Sequence, residues 1–574
     1  MEMRRTRAIR LGPRDVVAER KAGGVVHLRS PHALPPYPES MNERLEYWAR
    51  AAPKRVVLAQ RSNGGWRTLT YGDALDKARR VGQVLLEKRL SIERPLAVLS
   101  GNGIEHALLA LGAMHVGIPY APISPAYSLL SKDFAKLRDV LGLLTPGLVF
   151  VSDRSSYAKA IAAACGGIEV MHELKEARTT SAVDDARAGV GPDTIVKFLF
   201  TSGSAGEPKA VINTQRMWCA NQAMVRAVLA FVAEEPPVLV DWAPWHHTAG
   251  GNKDLGMVLY NGGTLYIDEG KPLPGAIETT VRNLREVAPN WYFTVPKGYE
   301  MLLPHLRRDA ALRERFFSRL KALWFAGAGI SQQVFEEYKR LAFETRGEQI
   351  LFLTGFGATE TAPFTLSRTW DTEDASNMGV PAPGVEVKLL PFQDKLEMRL
   401  KGPHITPGYW RQPELTRRAF DEEGYYRIGD AFVFADAADP SAGLLYRGRL
   451  SEDFKLSNGT WVNVGPLRAA FARHFAPLVR DAVIAGDRRD EVGALVFLAH
   501  DVPRDELASR LRSFASQATG SSNHISRLLV LEEPPSLDAG EITDKGTINQ
   551  RAVLARRAAL VEELYVGSPR VVTA

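Results

Sequence analysis

Short apolar runs alternate along most of the chain with longer segments whose apolar residues recur every three or four positions. The short runs are rich in β-branched and aromatic residues, and this composition predicts strands. The predicted strands cover residues 96–99, 148–151, 196–200, 238–242, 264–267, 291–295, 323–325 and 350–353. The segments between them include amphipathic stretches at residues 217–231 and 331–341, which predict helices. This rhythm is typical of α/β proteins, so we expect parallel sheets covered by helices.

The pattern changes twice toward the C-terminus. Residues 386–402 alternate between apolar and polar positions, which predicts a small β-rich layer. A polar stretch, Gly-Arg-Leu-Ser-Glu-Asp at residues 448–453, then opens a tail with a βαβ-like piece over residues 479–497. We therefore predict a large N-terminal domain over residues 1–449 and a small, mobile α+β domain over residues 450–574.

Composition narrows the class of protein. The chain has 574 residues, 45% hydrophobic and 24% charged, which matches soluble globular proteins of more than one domain. Its net charge is +6, but the basic residues are scattered singly. A nucleic-acid or membrane surface would require clustering, so we expect a solvated basic surface that attracts anionic substrates.

The lack of a membrane span, a signal peptide and a disulfide pattern in the sequence predicts the cellular location of the protein and the redox state of its cysteines. Its most apolar run, residues 107–118, is shorter than the ~20 residues of a membrane span. Its basic N-terminus lacks the apolar stretch of a signal peptide. The two cysteines, Cys165 and Cys219, exclude a disulfide scaffold and offer no zinc-ligand spacing. We therefore expect a cytoplasmic protein without membrane insertion.

The strongest chemical signal lies at residues 198–209, Phe-Leu-Phe-Thr-Ser-Gly-Ser-Ala-Gly-Glu-Pro-Lys. An apolar strand runs into a loop of hydroxyl residues and glycines that is closed by Lys209. Glycines allow the backbone to approach an anion, and hydroxyls, N–H groups and a lysine suit a polyphosphate. The spacing is not that of a P-loop. Taken alone, the segment is compatible with phosphate binding or with an ordinary Gly/Ser turn.

Three further segments favour a nucleotide site. Residues 354–361, Thr-Gly-Phe-Gly-Ala-Thr-Glu-Thr, follow a predicted strand and offer a hydroxyl and a carboxylate, although a helix N-cap would look similar. Residues 426–430, Tyr-Arg-Ile-Gly-Asp, place an acid after a tight turn. Gly448 and Arg449, followed by Asp453, Lys455 and Gly459, lie at the predicted boundary.

In order and spacing these four motifs resemble the ANL superfamily of adenylate-forming enzymes, which includes acyl- and aryl-CoA synthetases. The resemblance covers residues 45–551. Within the superfamily the chain is most similar to feruloyl-CoA synthetases, which activate hydroxycinnamates. The segments that carry this similarity are residues 197–213, 238–251, 259–271, 455–468 and 534–554.

The resemblance implies a role for each residue of the nucleotide site. A phosphate loop would hold the β- and γ-phosphates of ATP, Thr359 would contact the α-phosphate, and Glu360 would bind Mg²⁺. Asp430 would accept hydrogen bonds from the ribose hydroxyls, and Arg449 would anchor ribose or phosphate. The residues implied in the phosphate loop are Thr201, Ser202, Gly203, Ser204, Gly206 and Lys209. The other nucleotide-binding residues implied are Gly327, Ala328 and Gly329 under the adenine, Phe356 against its face, and Gly357 and Lys455.

The resemblance also implies an acyl pocket and a hinge. His247 would lie near the substrate carboxylate and the pantetheine tunnel, although a histidine packed in the core is the alternative. The C-terminal domain would turn at Ser451 between two steps. It would bring Lys545 to the adenylate first and the loop that includes Gly459 and Trp461 to coenzyme A second. The acyl-pocket residues implied are Trp242, His246, His247, Ala249 and Gly250.

The sequence departs from the superfamily pattern at three positions. Ala205 replaces a threonine of the phosphate loop, and Ser451 replaces the usual Asp or Lys of the hinge. In the tail, Lys545 precedes Gly546 instead of following it. Lys545 is the only lysine of this segment that could reach the adenylate.

The resemblance implies an AMP-forming acid–thiol ligase that uses ATP, Mg²⁺ and coenzyme A on an aromatic acid. Two alternatives remain open at this point. The acyl group could go to a carrier protein or a reductase, which we would expect to be a separate partner because the chain ends soon after Lys545. The chain could also be a non-catalytic nucleotide-binding homologue, as Ala205 and the displaced lysine would permit. Both a monomer and a homodimer are compatible with the sequence.

Overall fold

A computed structural model of the chain describes residues 5–202, 207–327, 329–372, 374–543 and 546–574. In the part before residue 450, most strands are short and several are buried on both faces. These strands are β1 (Val17–Arg20), β2 (Val26–Arg29), β3 (Val56–Ser62), β4 (Gly65–Thr70), β5 (Leu96–Leu99), β6 (Tyr120–Pro122), β7 (Leu148–Val151), β8 (Glu169–Met171), β9 (Ile195–Ser202), β10 (Pro208–Thr214), β11 (Val238–Asp241), β12 (Thr264–Ile267), β13 (Trp291–Thr294), β14 (Ala322–Phe325), β15 (Leu351–Phe356), β16 (Leu366–Arg368), β17 (Val380–Pro381), β18 (Glu386–Phe392), β19 (Lys395–Lys401), β20 (Tyr426–Phe434) and β21 (Leu444–Arg449).

Helices separate most of these strands, as the sequence pattern predicted. The helices of this part are α1 (Met41–Ala51), α2 (Tyr71–Glu87), α3 (Ile104–His115), α4 (Ala126–Leu129), α5 (Ala135–Leu144), α6 (Ala158–Ala164), α7 (Ser181–Ala188), α8 (Gln215–Val228), α9 (Leu255–Asn261), α10 (Ile277–Glu286), α11 (Pro296–Arg308), α12 (Ala310–Ser318), α13 (Gln332–Arg346) and α14 (Pro413–Ala419). Among the described residues, no helix has the length and apolar content needed to cross a bilayer.

The described strands of this part form four sheets, one of which has six strands and is parallel in all but one strand pair. One sheet has the order β10-β9-β6-β5-β7-β8, parallel throughout except for the β9–β10 pair. A second has the order β13-β14-β15-β16-β17, with its first three strands parallel. Strands β5 and β7 are buried along their whole length because helices cover both faces of the sheet. The predicted α/β class and all eight predicted strands are confirmed.

The β-rich layer predicted at residues 386–402 is confirmed as part of an antiparallel sheet. Strands β18 and β19 pair with each other, and the sheet order is β1-β2-β18-β19-β20-β21. The remaining sheet of this part has the order β11-β12-β3-β4. In the antiparallel sheet Asp430 of β20 lies opposite Arg449 of β21, which brings two predicted nucleotide-binding residues together.

The tail is a small α+β unit. Its elements are β22 (Phe454–Lys455), β23 (Trp461–Val462), α15 (Val464–Phe475), β24 (Val479–Ala485), β25 (Val492–Leu498), α16 (Arg504–Ala515), β26 (Ile525–Val530), α17 (Gln550–Arg556), α18 (Ala558–Tyr565) and β27 (Val572–Thr573). The sheet order is β24-β25-β26-β27.

The prediction of a βαβ-like piece over residues 479–497 is wrong. Strands β24 and β25 form an antiparallel hairpin, because the loop between them is far too short for the crossover that a parallel pair requires. A βαβ unit does occur one element later, where β25 and β26 are parallel and α16 connects them.

The predicted boundary near residue 450 lies within close contacts. Lys395 of β19 and Asp453 form a buried ion pair at 2.5 Å, and Gly448 faces Gly465 so closely that a Cβ on Gly448 would lie 3.1 Å from the Gly465 Cα. Gly448 also has a φ of +94°, which favours glycine. The division into two domains at this point remains a prediction.

Candidate active site

Two strand ends and one loop bring the phosphate-loop lysine and the predicted metal ligand toward the same tyrosine. Lys209 of β10 lies opposite Thr201 of β9, and β10 also contacts the segment that contains Tyr409. The Lys209 ammonium lies 5.5 Å from the centre of the Tyr409 ring, and the Tyr409 hydroxyl donates a hydrogen bond to Glu360 Oε1 at 3.1 Å. Tyr426 extends this group, with its hydroxyl 3.2 Å from that of Tyr409.

The turn that carries Thr359 and Glu360 is a short 3₁₀ helix, Thr359–Thr361, instead of the N-terminus of a longer helix. Thr361 closes it, because its hydroxyl accepts the Ala358 N–H at 2.9 Å. Asn221 of α8 holds the other side by donating to the Thr361 carbonyl at 3.2 Å. Thr359 and Glu360 are more than nine-tenths buried, so their side chains have little freedom.

Asp430 is a buried carboxylate held by two partners. It is 2% exposed, accepts a hydrogen bond from the Tyr446 hydroxyl at 2.9 Å, and lies 3.5 Å from Nε of Arg449. Burial raises the pKa of Asp430 to about 6, although the Arg449 charge opposes this shift. The Arg449 side chain remains 56% exposed, so it can contact a ligand on its open side.

Gly327 and Phe356, two residues predicted to hold the adenine base, lie at one edge of the sheet that contains β14 and β15. Phe325 of β14 is paired with Thr354 of β15, so Gly327 and Phe356 each lie two residues beyond this pair. Gly327 has a φ of +89°, a conformation that glycine adopts without strain. Phe356 packs against Phe432, with ring centres 5.0 Å apart. A Cβ on Gly357 would lie 1.3 Å from the Pro363 carbonyl oxygen, so only glycine fits there.

The predicted acyl segment follows β11 and leads into a π-helical turn, Ala249–Asp254. His247 lies at its start, where Nδ1 accepts the Ala249 N–H at 3.3 Å and the carbonyl accepts the Gly251 N–H at 2.8 Å. Gly250 is packed so closely that a Cβ would lie 2.3 Å from the Ala243 carbonyl oxygen. The half-buried residues of this segment are Trp242, Pro244, His246, His247 and Ala249, and the others are buried.

Asn102 fixes the loop before the π-helical turn, a role that no sequence motif indicates. Its side chain donates to the Ala243 carbonyl at 2.9 Å and accepts the Trp245 N–H at 2.9 Å. Trp242 is anchored separately, because its indole N–H donates to the Thr294 hydroxyl at 3.1 Å. The segment is therefore held in one shape by two residues that are distant in the sequence, Asn102 and Thr294.

The residue predicted for the hinge lies just before the hairpin that carries the residues predicted for the coenzyme A loop. Ser451 is exposed in the 3₁₀ turn Leu450–Glu452. Lys455 of β22 is paired with Trp461 of β23, and its ammonium lies 5.1 Å from the Trp461 ring. Gly459 forms the turn between them with a φ of +84°. Lys455, predicted to bind ATP, is thus placed beside a predicted coenzyme A residue.

Several predicted residues lie outside the part that the structure describes. They are Gly203, Ser204 and Gly206, with the substituted Ala205, together with Ala328 and Lys545. Ser202 is the last residue of β9 and directly precedes residues 203–206, and Gly329 directly follows Ala328. The roles of all of these residues remain predictions.

Mg²⁺ fits the residues that the structure describes. None of their His, Cys, Asp and Glu side chains form a group of three or more that could hold a metal ion. Mg²⁺ does not require such a group, because in nucleotide sites it is bound by one or two carboxylates, waters and phosphate oxygens. Glu360 would supply the carboxylate, and the nucleotide would supply the rest.

Two family models together match most of the chain. Residues 45–410 match the family model described as AMP-binding enzyme, and residues 452–568 match that of the AMP-binding enzyme C-terminal domain. The chain therefore belongs to the AMP-binding enzyme family, in the ANL superfamily of adenylate-forming enzymes.

Individual relatives are distant. A feruloyl-CoA synthase of Amycolatopsis sp is 26% identical over 82% of this chain and 92% of its own length. Tyrocidine synthase 3 of Brevibacillus parabrevis is 22% identical over 87% of this chain, but the chain spans only 7% of that protein. A carboxylic acid reductase of Segniliparus rugosus is 26% identical over 65% of this chain, which spans 33% of the reductase.

The fold agrees with a solved structure of the same superfamily. An O-succinylbenzoate coenzyme A synthetase from Bacillus subtilis, determined in complex with AMP, superposes with a TM-score of 0.69. The match covers 90% of this chain and 98% of the other at 15% identity. At that identity the likeness concerns the fold alone.

Proposed function

We propose that this protein activates an aromatic carboxylic acid with ATP and transfers the acyl group to coenzyme A. In the first step a carboxylate oxygen of the acid attacks the α-phosphorus, and the bond to the β-phosphate oxygen breaks as pyrophosphate leaves. In the second step the thiolate of coenzyme A attacks the acyl carbon, and AMP leaves with the oxygen of the broken anhydride bond. The products are an acyl-CoA thioester, AMP and pyrophosphate.

The observation that carries this proposal is the convergence of Lys209, Tyr409 and Glu360 beside the ends of β9 and β15. Displacement at phosphorus requires positioning and charge stabilisation, and it does not require a protein nucleophile. A buried carboxylate for Mg²⁺ and a lysine for phosphate oxygens meet this requirement. When bound, Mg²⁺ would neutralise charge on the phosphate oxygens. The separate Asp430–Arg449 pair would hold the ribose.

An aromatic substrate is supported by the composition of the acyl segment. Trp242 and the two histidines would offer flat, partly polar walls, and the small side chain of Ala249 would leave room for a ring. Feruloyl-type enzymes tend to carry Asn and Phe where His246 and Ala249 stand. His246 could contact a polar ring substituent, so the preferred acid of this protein need not be ferulate.

A panel of aromatic, cinnamic and fatty acids tests the function. We expect exchange of labelled pyrophosphate into ATP with aromatic acids, and a thioester product once coenzyme A is added. A different outcome is exchange without a thioester from coenzyme A but with acyl transfer to a carrier protein or a reductase. In that case the acyl acceptor of the second step would be that protein and not coenzyme A. No exchange with any acid would favour the non-catalytic homologue.

Enlarging Ala249 tests the assignment of the acyl pocket. We expect Ala249→Phe to change the ratio of kcat/KM between a large and a small aromatic acid by about tenfold or more, because a pocket discriminates by the space it leaves. Ala249→Val should shift the same ratio less. Pyrophosphate exchange with each acid measures both variants. Equal loss for all acids would show that the segment supports the structure and does not select the substrate.

The raised pKa of Asp430 predicts a pH dependence of ATP binding. The ionised carboxylate accepts stronger hydrogen bonds from the ribose hydroxyls than the protonated acid does, and the pKa of Asp430 is about 6. We therefore expect KM for ATP to rise as the pH falls from 7.5 through 6. Asp430→Asn should have a high KM for ATP at every pH in this range. A wild-type KM that stays constant, or the same slope in the variant, would contradict the role of Asp430.

The same variant should make the protein more stable. The pKa of Asp430 is raised from 3.8 to about 6, so the folded state binds this proton more tightly than the unfolded state. Stability from this group is present below pH 4 and is lost as the pH rises through 6, an effect on the order of 3 kcal/mol. At pH 7.5 we expect Asp430→Asn to have a free energy of unfolding at least equal to that of the wild type, measured with denaturant.

A further inference from the structure

The π-helical turn Ala249–Asp254 leaves carbonyl groups that need donors from other elements. Trp218 of α8 donates its indole N–H to the Asn252 carbonyl at 2.8 Å, and Gln222 donates to the same carbonyl at 2.8 Å. Lys197 of β9 donates from Nζ to the Gly251 carbonyl at 3.0 Å. Three side chains that are distant in the sequence thus stabilise a turn that is wider than an α-helix.

Lys197 is unusual among these donors because it is a cationic group in the interior. Its side chain is fully buried, and its ammonium lies 3.8 Å from the centre of the Trp218 ring and 5.7 Å from that of Tyr120. No carboxylate among the described residues forms an ion pair with it. Burial alone lowers the pKa of Lys197 to about 7. Because burying a lysine without a counter-charge is costly, its hydrogen bond to Gly251 indicates a positioning role.

That hydrogen bond reaches the acyl segment through a single residue, Gly251. The Gly251 carbonyl accepts from Lys197, and the Gly251 N–H donates to the His247 carbonyl at 2.8 Å. Gly251 is packed closely against the preceding loop, because a Cβ there would lie 2.3 Å from the Trp245 carbonyl oxygen. A change in how Gly251 is held would therefore be transmitted to His247, whose carbonyl accepts its N–H, and to the adjoining Ala249.

We propose that Lys197 is a positioning residue of the acyl pocket, which fixes Gly251 and thereby sets His247 and Ala249 at the distance that the acid requires. This inference rests on the proposed function for the identity of the ligand. Lys197 contacts the pocket wall and takes no part in the chemical steps. Trp218 acts with it, through the Asn252 carbonyl and through the face of its ring.

Lys197→Met tests the proposal, because methionine keeps the unbranched side chain and removes the donor. We expect KM for the acid to rise about tenfold to 10²-fold, while KM for ATP changes less than about twofold. Trp218→Phe should shift KM for the acid in the same direction. Because it retains Lys197, it also gives a measurement if Lys197→Met folds poorly.

Lys388→Met is the matched control. Lys388 is also a buried lysine, but it lies in β18 and forms ion pairs with Asp421 and Glu423 at 2.7 Å. Its loss should lower the thermal stability and leave KM for the acid unchanged. If Lys197→Met only lowers stability, or raises both KM values equally, the positioning role is wrong.

A crystal structure of Lys197→Met provides a readout that does not depend on activity. We expect the backbone of residues 247–254 to shift relative to the wild-type protein. An unmoved backbone would overturn the proposal even if no acid in the panel is activated. Failure of the wild-type protein to exchange pyrophosphate would instead overturn the proposed function, so the two failures can be told apart.

Discussion

Replacing Glu360 with glutamine should slow acid-dependent pyrophosphate exchange by about 10²–10³-fold, or about 3–4 kcal/mol of transition-state stabilisation. Glutamine keeps the shape of the side chain and an oxygen that can accept from the Tyr409 hydroxyl. It removes the negative charge that would hold Mg²⁺ against the phosphate oxygens. The loss should therefore come from charge, with little change in the local fold.

Two controls separate charge from structure. Tyr409→Phe removes the hydrogen bond to Glu360 and keeps the carboxylate, so it should slow exchange much less. Glu386→Gln changes another carboxylate that accepts from a tyrosine, Tyr425 at 3.1 Å, in the antiparallel sheet, and it should leave exchange unaltered. The Mg²⁺ concentration for half-maximal rate should rise only in Glu360→Gln. If that variant keeps both its rate and its Mg²⁺ dependence, residues 354–361 do not form the metal site.

Much of the fold could be predicted because parallel strands are buried on both faces. Runs such as β5 and β7 are apolar at every position, which marks them in the sequence. The apolar pattern does not indicate whether two strands pair in parallel or antiparallel. In residues 479–485 and 492–498 the pattern would be the same for either direction. Only the short polar loop between them, too short for a crossover, indicates the hairpin that the structure shows.

Residues of the candidate site could be predicted where they belong to a sequence motif. They could not be predicted where single residues that are distant in the sequence come together. Asp430 and Arg449 belong to motifs, and the pairing of β20 with β21 brings them together. Tyr409 reaches Glu360 from a segment with no distinguishing pattern, and Asn102 and Lys197 act through backbone carbonyls. The π-helical turn could not be predicted from the sequence either, because one extra residue in a short helix does not disturb the apolar pattern.

Lys545 carries the prediction that most directly tests the two-step mechanism. The residue itself lies outside the described part of the chain, but the residues around it form a stem. Ile542 is bridged to Ile548, and the Thr543 N–H donates to the Thr547 carbonyl at 2.9 Å. Glu541, fully buried, anchors this stem by accepting two hydrogen bonds from Arg557, at 2.7 and 2.9 Å.

The segment that precedes this stem contacts the large part of the protein. Lys136 of α5 donates to the Leu537 carbonyl at 2.5 Å, and the Lys132 N–H donates to the Asp538 carboxylate at 3.0 Å. The stem is thus tied to the same part of the molecule that contains Glu360 and Asp430. If the resemblance holds for the two steps, this arrangement would belong to the first step, and the small domain would turn away before the second.

We therefore expect Lys545→Ala to reduce formation of the acyl-adenylate from acid and ATP by about 10²-fold or more, because a cationic group that stabilises developing charge would be lost. The same variant, supplied with synthetic acyl-adenylate and coenzyme A, should form thioester at close to the wild-type rate. Arg488→Ala, which removes an exposed cation from the β24–β25 loop, should leave both half-reactions unchanged. A parallel loss in both halves would mean that Lys545 supports the docking or folding of the tail. No loss in either would mean that Lys545 is a solvated residue and that the first step uses another cation.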